Sequence, residues 1–149
     1  MRPLALELDG VLGDTRPLWR DWLTDLQRRV RIDLERLPDD RAAAADELDR
    51  VAGNWRVLLE RFAEERAPVH LRPSADVSTA LRRLHGAGVP VGAFTDAPEP
   101  LARVALGQLG ARRRLVAVET GAGALERLLS RLGPEAKVVR TREELLRLP

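Results

Sequence analysis

The spacing of apolar residues changes period along the chain. Leu4-Ala5-Leu6 runs into Glu7-Leu8-Asp9-Gly10, which predicts a short buried strand over Leu4 to Leu8 that closes on acids and a sharp turn. From Thr15 the period lengthens. Leu18, Trp19, Trp22, Leu23, Leu26 and Val30 share one helical face, with Pro17 in the first turn and Thr15 as the cap. Pro38 breaks that pattern. A second helix starts near Asp40 and carries Leu48, Val51, Trp55, Leu58, Leu59 and Phe62 at helical spacing. Gly53-Asn54 lies inside it as a kink or a split, and Pro68 is expected to end the region.

Beyond Pro68 short strands and helices alternate. A helix is expected from Ser74 to Leu84, a strand over Val89 to Phe94, and a helix from Pro98 to Leu109. A strand over Leu115 to Val118 and a helix over Ala122 to Leu132 follow. A strand over Lys137 to Arg140 leads to a last helix, opened by the capping box Thr141-Arg142-Glu143-Glu144. With the first segment this makes four strands. The alternation predicts an α/β fold, a small parallel Rossmann-like sheet flanked by helices. The core comprises residues 1–14 and 71–149, and residues 15–70 are an all-helical insertion after the first strand. A flavodoxin-like or receiver-like domain also uses strand-end acids, but its βα connections are short.

In open parallel sheets, binding sites lie at the carboxyl ends of the strands. Glu7, Asp9, Thr95, Glu119 and the Thr141 region all fall at such ends. Glu7 and Asp9 are two apart, so on a strand they share a face. Acids followed by a glycine suit a divalent cation and a phosphate; solvated acids or a cap for the next helix give the same pattern.

Composition narrows the function. The chain has 149 residues, 44% hydrophobic and 32% charged, enough for one domain with a real core. There is no cysteine, so thiolate chemistry and disulfides are excluded. The net charge is only +2, and nearly all the base is Arg, interspersed with acids. No basic stripe forms and aromatics are scarce, which argues against nucleic acid. No apolar run reaches the roughly 20 residues of a membrane span. The acid in MRPLALELDG interrupts what a signal peptide would need. A cytoplasmic location is expected.

The stretch LALELDGVLGDT resembles motif I of the haloacid dehalogenase (HAD) superfamily. Asp9, Gly10, Leu12, Asp14 and Thr15 match; Val11 replaces a Thr and Glu7 replaces the first Asp. VPVGAFTDAP resembles motif II, an apolar strand ending in a hydroxyl, here Thr95. The resemblance implies a HAD-like hydrolase with a small helical cap. Phosphate-ester hydrolysis is the implied activity and a small phosphorylated molecule the implied partner. It implies Glu7 as nucleophile or metal ligand. Asp9 is implied as acid/base, with its backbone carbonyl on Mg²⁺, and Thr95 and Gly10 at the phosphate. Glu119 completes the implied metal set with Glu7 and Asp9.

Two elements of the family pattern are missing. No Lys stands near Gly121 to Ala124, where motif III should supply one. The acids of motif IV follow either the Lys137 strand, leaving Glu143 and Glu144, or the Leu115 strand, leaving Glu119. Glu reaches one methylene beyond Asp, and a shift of roughly 1 Å can cost on the order of 100-fold in rate. A lost cationic donor removes roughly 3 kcal/mol of transition-state stabilisation. The missing residues therefore favour the alternative of an inactive relative that works as a binding or regulatory protein. In that case Trp19, Trp22 or Trp55 on the insertion could meet a partner or a second copy, or else pack internally.

Overall fold

A computed structural model describes residues 1–149. Four parallel strands form one sheet: β1 (Leu4–Glu7), β2 (Val91–Thr95), β3 (Ala117–Thr120) and β4 (Lys137–Val139). Their spatial order is β3-β2-β1-β4. β1 and β2 are the central pair, buried on both faces. Leu4 and Leu6 belong to a large core of 34 buried residues on one face. Ala5 and Phe94 pack on the other face with Ala117, Ala124 and Leu128.

The helices follow from the pattern, with shifts at their ends. They are α1 (Arg16–Gln27), α2 (Arg41–Val51), α3 (Trp55–His70), α4 (Ala75–Gly86), α5 (Glu99–Gln108), α6 (Ala124–Leu132) and α7 (Arg142–Leu146). α6 covers the smaller face of the sheet. It comes so close that a Cβ on Gly92 would lie 2.5 Å from a Leu128 methyl carbon. α1, α2 and α3 follow β1 in the chain, and α3 lies along α5. Trp19, Trp22 and Trp55 form a tilted stack with centroids 5.2 and 5.8 Å apart. All three are buried, Trp22 and Trp55 almost completely. They pack α1 against α3.

Three local expectations change, and at Gly53-Asn54 the split prevails over the kink. The first strand ends at Glu7, one residue early, because Leu8 opens a wide turn in which the Gly13 N–H reaches back to the Leu8 carbonyl at 3.1 Å. The second helix is two helices, since Asn54 turns into the left-handed region at φ 65°. Pro68 does not end α3, which runs on to His70. Pro68 and Glu64 are both on the exposed face, so water can take the Glu64 carbonyl that a proline leaves unpaired. Thr15 does not cap α1 with its side chain, because that hydroxyl is used elsewhere.

Candidate functional site

The carboxyl ends of β1 and β2 face a cavity of about 360 Å³. Glu7, Asp9, Arg16, Arg41, Phe94, Thr95 and Asp96 supply most of its wall. Glu7, Asp9 and Thr95 are therefore brought to one place. The sheet and the turn after β1 achieve this together. Glu7 stands opposite Phe94 in the β1–β2 register. Gly10 adopts φ 111°, and a Cβ there would stand 2.9 Å from the Arg140 carbonyl. Only glycine lets the chain turn against β4 this closely.

Asp9 is saturated with donors. Its Oδ1 accepts from the Thr15 backbone N–H at 2.7 Å and from the Thr15 hydroxyl at 2.6 Å. Its Oδ2 accepts from Arg41 Nη2 at 2.6 Å and from the Thr95 hydroxyl at 2.9 Å. A carboxylate has about four lone-pair sites, so every one is taken. The Thr95 proton is thereby committed, while its oxygen accepts from the Ala97 N–H at 3.2 Å. The Gly10 N–H is committed to the Gly13 carbonyl at 2.8 Å.

Arg41 is the residue that the sequence did not disclose. It starts α2 in the insertion, yet its side chain is only 3% exposed. Beyond Asp9, its Nη1 donates to the Thr15 hydroxyl at 2.6 Å. Its Nε and Nη2 both donate to Asp96 Oδ1, at 3.1 and 2.8 Å. Its backbone N–H donates to Asp96 Oδ2 at 2.9 Å. Burial pulls Arg41 towards the neutral form, but Asp9 and Asp96 outweigh it and hold the guanidinium more firmly protonated than usual. Burial also pushes Asp96 up, and the Arg41 side chain and N–H more than reverse this, leaving it below the usual carboxylate range. One faint signal existed in the sequence. A cation at the first position of a helix sits against the positive end of its dipole, so Arg41 needed acids from elsewhere in the fold.

Glu7 has a different partner. Its Oε2 accepts from Arg140 Nη1 at 3.1 Å. Glu7 at the end of β1 and Asp9 in the turn after it thus line one cavity but answer to separate cations. Glu119 lies at the end of β3, with β2 between it and β1. There Arg127 and Arg131 grip it at 2.9 and 2.8 Å, and these bonds keep it below the usual carboxylate range.

The implied set Glu7, Asp9 and Glu119 does not assemble into a metal site. No group of three His, Asp or Glu residues gathers closely enough to hold an ion. Asp9 is filled by four donors, and Glu7 and Glu119 carry guanidinium groups. The residues present do not fit Mg²⁺. The strand order also settles which strand neighbours β1 on the side away from β2. It is β4, and the residue at its tip is Arg140, not an acid. Glu143 and Glu144 lie within α7, where the Glu144 carboxylate turns to the Arg140 N–H and the Thr141 hydroxyl.

No family model matches the sequence, and no curated protein matches it. Solved structures do. CbbY from Rhodobacter sphaeroides, in complex with phosphate, aligns over 93% of this chain and 76% of its own, with TM-score 0.65 and 14% identity. A HAD phosphatase from Thermococcus onnurineus aligns over 94% of this chain and 77% of its own, with TM-score 0.63 and 20% identity. A likeness at such identities concerns the course of the backbone.

Proposed function

For a chain with the haloacid dehalogenase-like fold, we propose a protein of the hydrolase type whose strand-end cavity binds a small phosphorylated molecule without hydrolysing it at an enzyme's rate. The observation that carries this reading is the state of Asp9. To act as a general acid it must bring a proton to within hydrogen-bond reach of a leaving oxygen. Both of its oxygens are already shared among Thr15, Arg41 and Thr95. A buried arginine with two acid partners is a strong anchor and a poor moving part. Glu7 in place of Asp, and the lack of a lysine at the cavity, weaken transfer chemistry further. Anion binding is favoured by Arg16, which lines the cavity; Asp14 takes its Nε and Nη2 at 2.8 and 3.0 Å, which leaves Nη1 for an anion.

A second reading has one observation in its favour. Arg41 belongs to the helical segment, so a swing of that segment away from the sheet would lift the guanidinium off Asp9 and Thr95. The chain would then be a slow phosphohydrolase, with Glu7 attacking phosphorus and Asp9 serving the leaving oxygen. A steady-state assay with p-nitrophenyl phosphate, run with and without Mg²⁺, separates the two. No turnover above background, with saturable binding of inorganic phosphate by calorimetry, supports the first. Turnover that is abolished in Glu7→Gln refutes it and establishes the second.

A further inference from the structure

Glu7 and Arg140 stand at the tips of neighbouring parallel strands. Leu6 pairs with Val139, so the next step along β1 is the acid and the next step along β4 is the base. The salt bridge between them, 3.1 Å long, is the obvious result. The guanidinium makes a second contact. Its carbon lies over the Phe94 ring, 5.6 Å from the centroid, and Phe94 is the β2 residue opposite Glu7. A cation is drawn to the face of an aromatic ring. Arg140 is thus placed by a carboxylate from β1 and an aromatic face from β2.

Its backbone is fixed as well. The Arg140 carbonyl lies directly against Gly10, too close for any side chain there. The strand tip that bears the cation therefore packs on the very turn that carries Asp9. Together with Arg41, this gives each acid of the first strand its own cation, supplied by a distant part of the chain. A divalent ion entering here would have to win Asp9 from a buried guanidinium and Glu7 from one that is 55% exposed. It would do so while repelled by both guanidinium groups, and Mg²⁺ sheds its waters reluctantly even for free carboxylates.

We propose that Arg140, held beside the cavity by its bond to Glu7, is a tethered cation that takes the electrostatic place of a metal ion at that carboxylate, so that anything bound in the cavity is bound without Mg²⁺. The inference is independent of whether the cavity only binds or also turns over. It concerns Glu7 and Arg140, whereas the reading of function rests on Asp9 and Arg41.

Mn²⁺ uptake by the full chain, followed by electron paramagnetic resonance and calorimetry, tests it. Folding of each variant is checked by circular dichroism. The wild type should show no saturable Mn²⁺ binding at millimolar concentrations. Arg140→Asp should gain saturable binding, at least about tenfold tighter than any residual wild-type uptake, and Mn²⁺ should then raise its melting temperature. Adding Glu7→Gln should abolish the gain. Arg140→Gln removes the charge without adding an acid, and it should gain weaker binding. Saturable wild-type uptake that Glu7→Gln removes would overturn the proposal. So would folded Arg140→Asp or Arg140→Gln variants that take up no more Mn²⁺ than the wild type.

Discussion

Replacing Arg41 by alanine should unsettle this molecule more than any other change of a single charge. The guanidinium is 3% exposed and lies between Asp9, 9% exposed, and Asp96, 42% exposed. Without it, the Asp9 carboxylate stays buried and Asp96 loses its counter-charge. Removing one member of a buried ion pair costs about 3–5 kcal/mol, because the remaining charge is left uncompensated. Two features place Arg41→Ala near the lower end. Asp9 keeps its bonds from Thr15 and Thr95, and water screens the Asp96 side. A loss of about 3 kcal/mol is a large share of the 5–15 kcal/mol typical of a domain. It corresponds to a fall of about 6–12 °C in melting temperature for a chain of this size. Urea titration and calorimetry would measure it. Arg41→Lys keeps the charge but cannot span Thr15, Asp9 and Asp96 at once, so it should fall in between. Asp9→Asn with Arg41→Met should cost less than the two single changes added together. A loss in Arg41→Ala below about 0.5 kcal/mol, the value of a surface pair, would refute the view that this arginine anchors the insertion to the strand ends.

Other outcomes follow from the same geometry. Asp96 is held below the usual carboxylate range when folded, so the unfolded chain takes up its proton first as pH falls. Its contribution is complete above about pH 4, the unfolded value, and disappears as pH drops through the lower folded value. The gap in urea midpoint between wild type and Asp96→Asn should therefore hold from neutral pH to about pH 5 and close below about pH 4; a gap unchanged at pH 2.5 contradicts the ion pair. Gly92→Ala puts a methyl 2.5 Å from Leu128; thermal unfolding should register a loss of about 1–3 kcal/mol from overpacking between α6 and the sheet, partly restored by Leu128→Ala. Trp22→Ala opens a hole in the middle of the tryptophan stack, and calorimetry should record a loss of about 3–5 kcal/mol.

Local periodicity was enough to place every strand and most of the helices. Short apolar runs ending in acids or hydroxyls gave β1 to β4, and a long run at helical spacing marked α1 to α3. Those features are written within a few residues of themselves, which is why a sequence carries them. Glu7, Asp9 and Thr95 were legible for the same reason, since Glu7 and Thr95 end buried strands and Asp9 stands in the turn two residues after Glu7. Their surroundings were not. Which strand lies beside β1 depends on sheet order, and that order decides that Arg140, not an acid, meets Glu7. Arg41 is separated from Asp9 by 32 residues and from Asp96 by 55, and it reads in the sequence as one more surface arginine among many. The sequence by itself determined an α/β chain with an acidic tip on its first strand. Only the tertiary structure decided that two arginines neutralise that tip, because a charge pair has no periodicity and is set by where distant strand ends and helix starts come to rest.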